Sequence, residues 1–557
     1  MPFPPHESQL LSQVPLAARS VVDIGCGTGD LAAVYRSMNP KVHWFGLAFD
    51  PVTAERAARH VHQVATADRR SGPLPFDTPS GIDCIIYNET LEQLDDPWQA
   101  LGSHAEALSE DGMMLICVRN GDHWRLADRI LRGLGDAGDA AGQLPHRINR
   151  RSMREVVAAA GLTLCDMTMR EPDPDGAARF ATSLAPGLEA LGIDPREYAK
   201  RCVGSHLLWR VRRNPFQRML IAANMLEPVG GVSHVRVVHP IRAMATDPTV
   251  FASVTDRVEV GAAPDGTPRI FVLHRPALFG EQGHGLLRAL AEAGFLIVTE
   301  FDDLPDRFEM MRQGGELSFQ GAHAIQTTTA ALADVLRQHN PEIAVFPNTM
   351  AVLPEVRNFA SPGTMTVFFG ALNRERDWLP CMPVLNAVAA LAGERLRFKV
   401  IHDRGFFDAL DTPHKTFTPT CDYPTYLRTL GESEISLMPL SDTPFNRAKS
   451  DLKFIEAGAC RVAALASNVV YANSVEDGRT GLLFRDPAAL HARLLHLVAM
   501  PELAQEIGDS ARRYVMEKRM LADQVAPRIA WYRSLWDRRE SLEDARRERL
   551  LRFVAAA

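Results

Sequence analysis

Short runs of β-branched and other apolar residues, each followed by a stretch of helical periodicity, recur along the whole 557-residue chain. The first set is SVVDIG (20–25), VHWFGLA (42–48), IDCIIYN (82–88) and MMLICVR (113–119). Strands alternating with helices in this way predict a parallel α/β sheet. LTLCDMTMRE (162–171) and SHLLWRVRR (205–213) follow without a long helix between them, which predicts a doubly wound sheet with an antiparallel edge. RRNPFQ (212–217) is polar and holds a proline, so a boundary is placed there. A second series runs through RMLIAANM, RIFVLHRP, FLIVTEFDD, AIQTTT and IAVFPN, up to the linker-like NFASPG at 358–363. A third comprises TVFFGAL, RFKVIHD, ISLMPL, RVAALAS and GLLF, and helices follow beyond residue 500. The predicted domains are 1–214, 215–358, 359–535 and a charged helix at 536–557, whose run DRRESLEDARRERLLRF reads as a solvated helix face.

Composition adds mainly exclusions. Apolar residues at 46%, charged residues at 23% and a net charge of -7 describe a globular protein with no general affinity for nucleic acid. The eight cysteines (26, 84, 117, 165, 202, 381, 421, 460) form no CxxC pair and no cluster with histidine. That argues against a zinc site and against a disulfide framework, and it fits a reducing cytoplasm. MPFPPHESQL is not a signal peptide, and no apolar run approaches the roughly 20 residues that span a bilayer. A peripheral position at the inner face of a membrane stays open, with WRVRRNPFQR as a modest basic patch.

The turn VVDIGCGTGD (21–30) carries the first candidate chemistry. Glycines between a strand and a helix let backbone N–H groups approach a polar ligand closely. Gly25, Gly27 and Gly29 are spaced G-x-G-x-G, and Asp30 stands where a dinucleotide fingerprint has its third glycine, so NAD is disfavoured. The turn resembles the first motif of class I S-adenosylmethionine (SAM) methyltransferases over residues 20–213. TADRRSGPLPFD, IDCIIYNETLEQLDDPWQAL and LSEDGMMLICVRN are similar to the segments that follow in that family. The resemblance implies SAM as cofactor, with Asp23, Gly25, Gly27, Gly29, Asp68 at the adenine and Asn88 around it. Ala48 departs from the family, whose second strand ends in a ribose-binding acid; Asp50 replaces it only if the loop bends back. Gln93 stands where many relatives have histidine and cannot act as a base, leaving His123, His146 and Asp30 as acid–base candidates.

Further on, NMLEPVGGVSHVRVVHPIRAM places Gly230 and Gly231 between a strand and a helix, and VFPNTM ends a strand at Asn348. If SDLKFIEAG is helical, Lys449, Lys453 and Glu456 share one face, at spacings of four and three. Two cations and a carboxylate at a helix start suit a sugar nucleotide, the cations neutralising the diphosphate as it leaves. The same spacing also occurs as a plain surface charge pattern.

Residues 217–535 as a whole resemble the two-Rossmann GT-B glycosyltransferases of the family-4 kind, in GGVSHVRVV, EFDD, PN and FIEAGACRVAALAS. Glu456 matches the second Glu of that family's E-x7-E signature, whereas the first position is Ala448. The resemblance implies a retaining transferase using a nucleotide-diphosphate sugar and no essential metal, so Asp302 and Asp303 are not read as a metal site. It assigns Lys449, Lys453 and Glu456 to catalysis, and Gly230, Gly231, Asn348 and Asn446 to substrate. The expected protein is a bifunctional methyltransferase and glycosyltransferase of surface-polysaccharide synthesis, acting on a glycan or lipid-linked acceptor. The alternative is a glycosyltransferase with a degenerate methyltransferase-like domain that binds acceptor or aids assembly. No motif speaks to donor sugar, methylated atom or oligomeric state.

Overall fold

The computed structural model describes residues 9–68, 72–134, 146–224, 233–255, 264, 266–312, 315–357 and 363–556. Gly230 and Gly231 lie outside the described residues. The chain divides into two compact units, one formed mainly by 41–217 and the other mainly by 251–557 together with 218–244.

The first unit is built on a seven-stranded sheet. Its strands are β1 (Ser20–Ile24), β2 (His43–Ala48), β3 (Gln63–Thr66), β4 (Ile82–Asn88), β5 (Leu108–Arg119), β6 (Thr163–Pro172) and β7 (Gly204–Arg212). Their order is β3-β2-β1-β4-β5-β7-β6, and β7 runs antiparallel to both β5 and β6. The predicted antiparallel edge is present. The last strand in sequence inserts between β5 and β6, so β6 forms the edge. Strand β3, QVAT, was not expected: it is a short edge strand with no buried residue, so no apolar pattern announces it. Asp50, Asp96, Asn149, Asp173 and Asp194 cap the helices that follow them, each accepting backbone N–H groups of the first turn.

The second unit holds two six-stranded sheets. One contains β8 (Met219–Asn224), β9 (Val250–Thr255), β10 (Arg269–His274), β11 (Leu296–Glu300), β12 (Ala324–Thr327) and β13 (Ile343–Val345), in the order β13-β12-β11-β10-β8-β9. The other contains β14 (Met365–Gly370), β15 (Leu396–Ile401), β16 (Lys415–Thr418), β17 (Ile435–Met438), β18 (Ala463–Ser467) and β19 (Leu482–Phe484), in the order β16-β15-β14-β17-β18-β19. All pairs of this last sheet are parallel. Near-continuous apolar strands such as VFFG and AALAS are buried on both faces, as parallel sheets require.

Two expectations need correction. The helix bearing Glu456 spans Leu452–Ala459 with Asp451 at its N-cap, so Lys449 precedes the helix and does not share its face. The charged run near the C-terminus is not merely a solvated face. The helix Arg539–Ala556 buries Leu542, Arg546 and Arg549, and Arg549 donates to the Ala322 carbonyl at 2.7 Å. Arginine stems cover apolar surface while their heads find carbonyls, which a reading by charge alone misses.

Candidate functional sites

The glycine turn of the first unit has the geometry a bound cofactor needs. Gly25, Gly27 and Gly29 adopt φ of +72°, +53° and +82°, in the left-handed region that side chains disfavour. A Cβ on Gly25 would collide with the Thr90 side chain, and one on Gly29 would press on Ala57 and His60. Gly27 faces open space, with nothing within 4 Å of the position its Cβ would occupy. Beside the turn, Asp23 is buried at the end of β1 and its Oδ2 has no hydrogen-bond partner. Burial pushes the Asp23 carboxyl up to about 7. The Oδ1 of Asn88, at the end of β4, is likewise buried without a partner. An open glycine and two unsatisfied acceptors fit a ligand with an ammonium head, so the residues present suit SAM.

The other predicted residues of this unit stand as follows. Asp68 is exposed after β3, and Ala48 is buried. Asp50 caps the helix Pro51–Ala57, accepting from the Thr53 N–H at 2.8 Å, and the Thr53 hydroxyl holds its carboxyl below the usual range. Gln93 donates to the Glu89 carbonyl at 2.5 Å, a structural bond. His146 Nε2 lies 3.1 Å from the Asp95 carbonyl, Asp30 bonds Thr28 at 2.5 Å, and burial lowers His123.

In the second unit the two sheets face each other across a cleft of about 460 Å³. Arg236, Arg275, Asp302 and Asn348 line it from the first sheet's side; Arg374, Lys449, Lys453 and Glu456 line it from the second's. The predicted lysines and glutamate therefore meet in one cavity although they do not share a helix face. Lys449 Nζ pairs with Asp303 Oδ1 at 2.9 Å and lies 4.3 Å from the centre of the Phe445 ring. Lys453 Nζ donates to the Gly370 carbonyl at the end of β14, and desolvation lowers its pKa.

Burial pushes Glu456 up to about 6, while Lys453 and the hydroxyls of Tyr423 and Tyr426 oppose that rise. Asn348 donates to Ser450 Oγ at 2.8 Å and accepts from Arg236 at 3.0 Å. Asn446 is buried, donating to Asp377 and Ser441 and accepting from Arg374 at 2.9 Å.

Several cleft residues carry no signal in the sequence. Arg236 sits on a π-helical turn, His234–Val238, and forms a two-pronged pair with Glu300 at 2.8 and 3.1 Å. Arg275 holds Asp302 at 2.6 Å, and His402 follows β15 at φ +73° with a buried Nδ1 that has no partner. Among the described residues, no group of three or more metal-ligating side chains occurs and no helix is long and apolar enough to cross a membrane. No disulfide joins any of the eight cysteines, all of which are among the described residues.

Comparisons with known proteins agree with the two-unit picture. A methyltransferase domain family matches residues 5–166, and a glycosyl transferase-like family matches residues 383–530. No curated protein matches. Among solved structures, a point mutant of S. aureus TarM, in complex with fondaparinux, alpha-GlcNAc-glycerol and UDP, is 13% identical over 47% of this chain, with a TM-score of 0.37. The match covers 55% of that TarM chain, about half its length. Sucrose-phosphate synthase from Thermosynechococcus elongatus is 15% identical over 57% of this chain and 100% of its own, with a TM-score of 0.41. The YcgJ protein from Bacillus subtilis is 16% identical over 38% of this chain and 99% of its own, at 0.27. The chain thus carries a methyltransferase domain in its N-terminal part and a glycosyl transferase-like domain in its C-terminal part.

Proposed function

We propose that the chain is bifunctional, transferring a sugar from a nucleotide-diphosphate donor and a methyl group from SAM to a surface glycan or glycolipid. The observation that carries the glycosyl half is the meeting of Lys449, Lys453, Arg374 and Glu456 in one cleft of about 460 Å³. In this reading the cations neutralise the diphosphate as the sugar leaves, a stabilisation that grows as charge develops on the leaving oxygen. Glu456 accepts from donor hydroxyls, and Asn348 holds the Ser450 turn in place. The roles of Gly230 and Gly231 on the acceptor side rest on the family resemblance alone.

In the methyl half, the turn at Gly25–Gly29, Asp23 and Asn88 would hold SAM, with Asp68 toward the adenine and Asp50 toward the ribose. SAM supplies an electrophilic methyl group, and the protein contributes alignment and exclusion of water. Placing both activities on one chain raises the local concentration of a shared acceptor. Eight cysteines without a disulfide suit a cytoplasmic location, at the inner face of the membrane where a lipid-linked acceptor is the substrate.

A second reading, a glycosyltransferase with a non-catalytic first unit, is favoured by buried Ala48 and by the engagement of Asp50 as a helix cap. Calorimetric titration of the full chain with SAM, and separately with UDP, GDP, ADP and dTDP, tests both readings. Micromolar binding of SAM and of one diphosphate is expected. Nucleotide binding without SAM binding selects the second reading, and absence of both removes the proposal.

A further inference from the structure

Among the described residues, four helices of the second unit have an aspartate at the N-cap, and one of the four behaves differently. Asp403, Asp422 and Asp486 each turn their carboxylate onto their own helix. They accept the first-turn N–H groups of Phe406, Thr425 and Ala489 at 2.9, 2.8 and 2.8 Å. Asp451, at the head of the helix that carries Lys453 and Glu456, makes no such bond. Arg519 takes both of its oxygens instead, at 2.5 Å to Oδ2 and 2.7 Å to Oδ1.

Arg519 is mounted rigidly for this task. It is buried, follows the helix Pro501–Lys518, and its guanidinium also donates to the Asn348 carbonyl at 2.9 Å. Its backbone is tied down too: the Met350 N–H donates to the Arg519 carbonyl at 2.8 Å, and the Leu521 N–H to the Met350 carbonyl at 2.9 Å. An aspartate left to itself caps its helix, because the first N–H groups are orphaned and the helix start carries partial positive charge. A two-pronged, charge-assisted pair with arginine overcomes that preference. Ser450, Leu452 and Lys453 line the cleft, while the carboxylate of Asp451 between them faces Arg519. The first turn of this helix therefore meets the cleft with no carboxylate folded over it.

We propose that Arg519 is a positioning residue of the donor site, holding the Asp451 carboxylate off the helix start so that a nucleoside diphosphate can take its place; the inference rests on the donor reading above. Without the arginine, Asp451 is released to cap its own helix, as Asp403, Asp422 and Asp486 cap theirs. A carboxylate then stands where the diphosphate belongs. It competes for the same N–H groups and repels the incoming anion. Arg519 acts through Asp451 and touches no ligand itself.

The test is calorimetric titration of the full chain with UDP, GDP, ADP and dTDP in four forms: unmodified, Arg519→Met, Asp451→Ala and the double variant. Arg519→Met should weaken the preferred diphosphate about fivefold or more, through the negative charge released at the helix start. Asp451→Ala should bind it within about twofold of the unmodified chain. Adding Asp451→Ala to Arg519→Met should restore affinity to that same range. A purely structural arginine predicts the opposite, with the double variant as weak as Arg519→Met or weaker. That result overturns the proposal, as does full affinity in Arg519→Met or weak binding by Asp451→Ala alone. Failure of the unmodified chain to bind any of the four diphosphates overturns the donor reading itself. Should Arg519→Met not fold, as judged by circular dichroism, Arg519→Lys serves for the same readouts with and without Asp451→Ala, since one ammonium lacks the fork that holds both oxygens.

Discussion

Lys449 and Asp303 form an ion pair at 2.9 Å across the cleft of the second unit, joining the turn before the Glu456 helix to the segment after β11. The lysine that would meet the donor diphosphate is thus held by a carboxylate. The two anions compete for one cation. Replacing Asp303 by Asn should tighten nucleoside-diphosphate binding about three- to tenfold, read by calorimetry, because the full lysine charge becomes available. Lys449→Ala should weaken it.

Lys453 is expected to matter more for turnover than for folding. Lys453→Ala removes the cation held at the end of β14 and should abolish sugar transfer. Circular dichroism and thermal unfolding should show the first unit intact. Full turnover in the variant would remove this lysine from the site.

The glycine turn offers a paired test. Gly27 faces open space at φ +53°, a conformation asparagine tolerates, so Gly27→Asn should keep the fold and lose SAM affinity at least tenfold. Gly25→Ala places a methyl group against Thr90 and should destabilise the unit itself, by about 1–3 kcal/mol in denaturant unfolding. Equal SAM affinity in Gly27→Asn would remove the turn from the cofactor site.

Asp23 gives the first unit a pH signature. Its carboxyl is raised to about 7 in the folded state against an ordinary 3.8, so the folded form keeps a proton that the unfolded chain releases. Its stabilising contribution is fully present below pH 4 and is lost as pH rises through 7, by up to about 4 kcal/mol. Asp23→Asn should flatten that decline when unfolding of the full chain is followed from pH 4 to 8.

Glu456 should set an acid limb on donor binding. Burial raises it to about 6, so below that pH it is protonated and ceases to accept from donor hydroxyls. Affinity for the preferred diphosphate sugar should fall as pH drops from 7 to 5, and Glu456→Gln should be weak and flat across the range.

Much of this architecture was legible because buried parallel strands leave apolar runs that a sequence displays directly. VVDIG, IIYN, VFFG and AALAS became strands where they were read. Strands with few buried residues, QVAT and KTFT, escaped, since edge strands need no apolar pattern. The meeting of Lys453 and Glu456 in one cavity was legible because both lie within one short helix. The helix begins at Leu452, two residues later than SDLKFIEAG suggested, with Asp451 at its N-cap braced by a bidentate pair from Arg519. Glu89 and His206 lie 117 positions apart in the numbering and meet only through strand register, which no short window can reveal.

The braces supplied by residues beyond 518 bear on how the molecule is made. Arg519 donates to the Asn348 carbonyl and to Asp451, Tyr532 reaches Gln326, and Arg549 reaches the Ala322 carbonyl. A ribosome delivers these residues well after both sheets they secure. During synthesis the second unit therefore gains these braces last, after the first unit has already emerged.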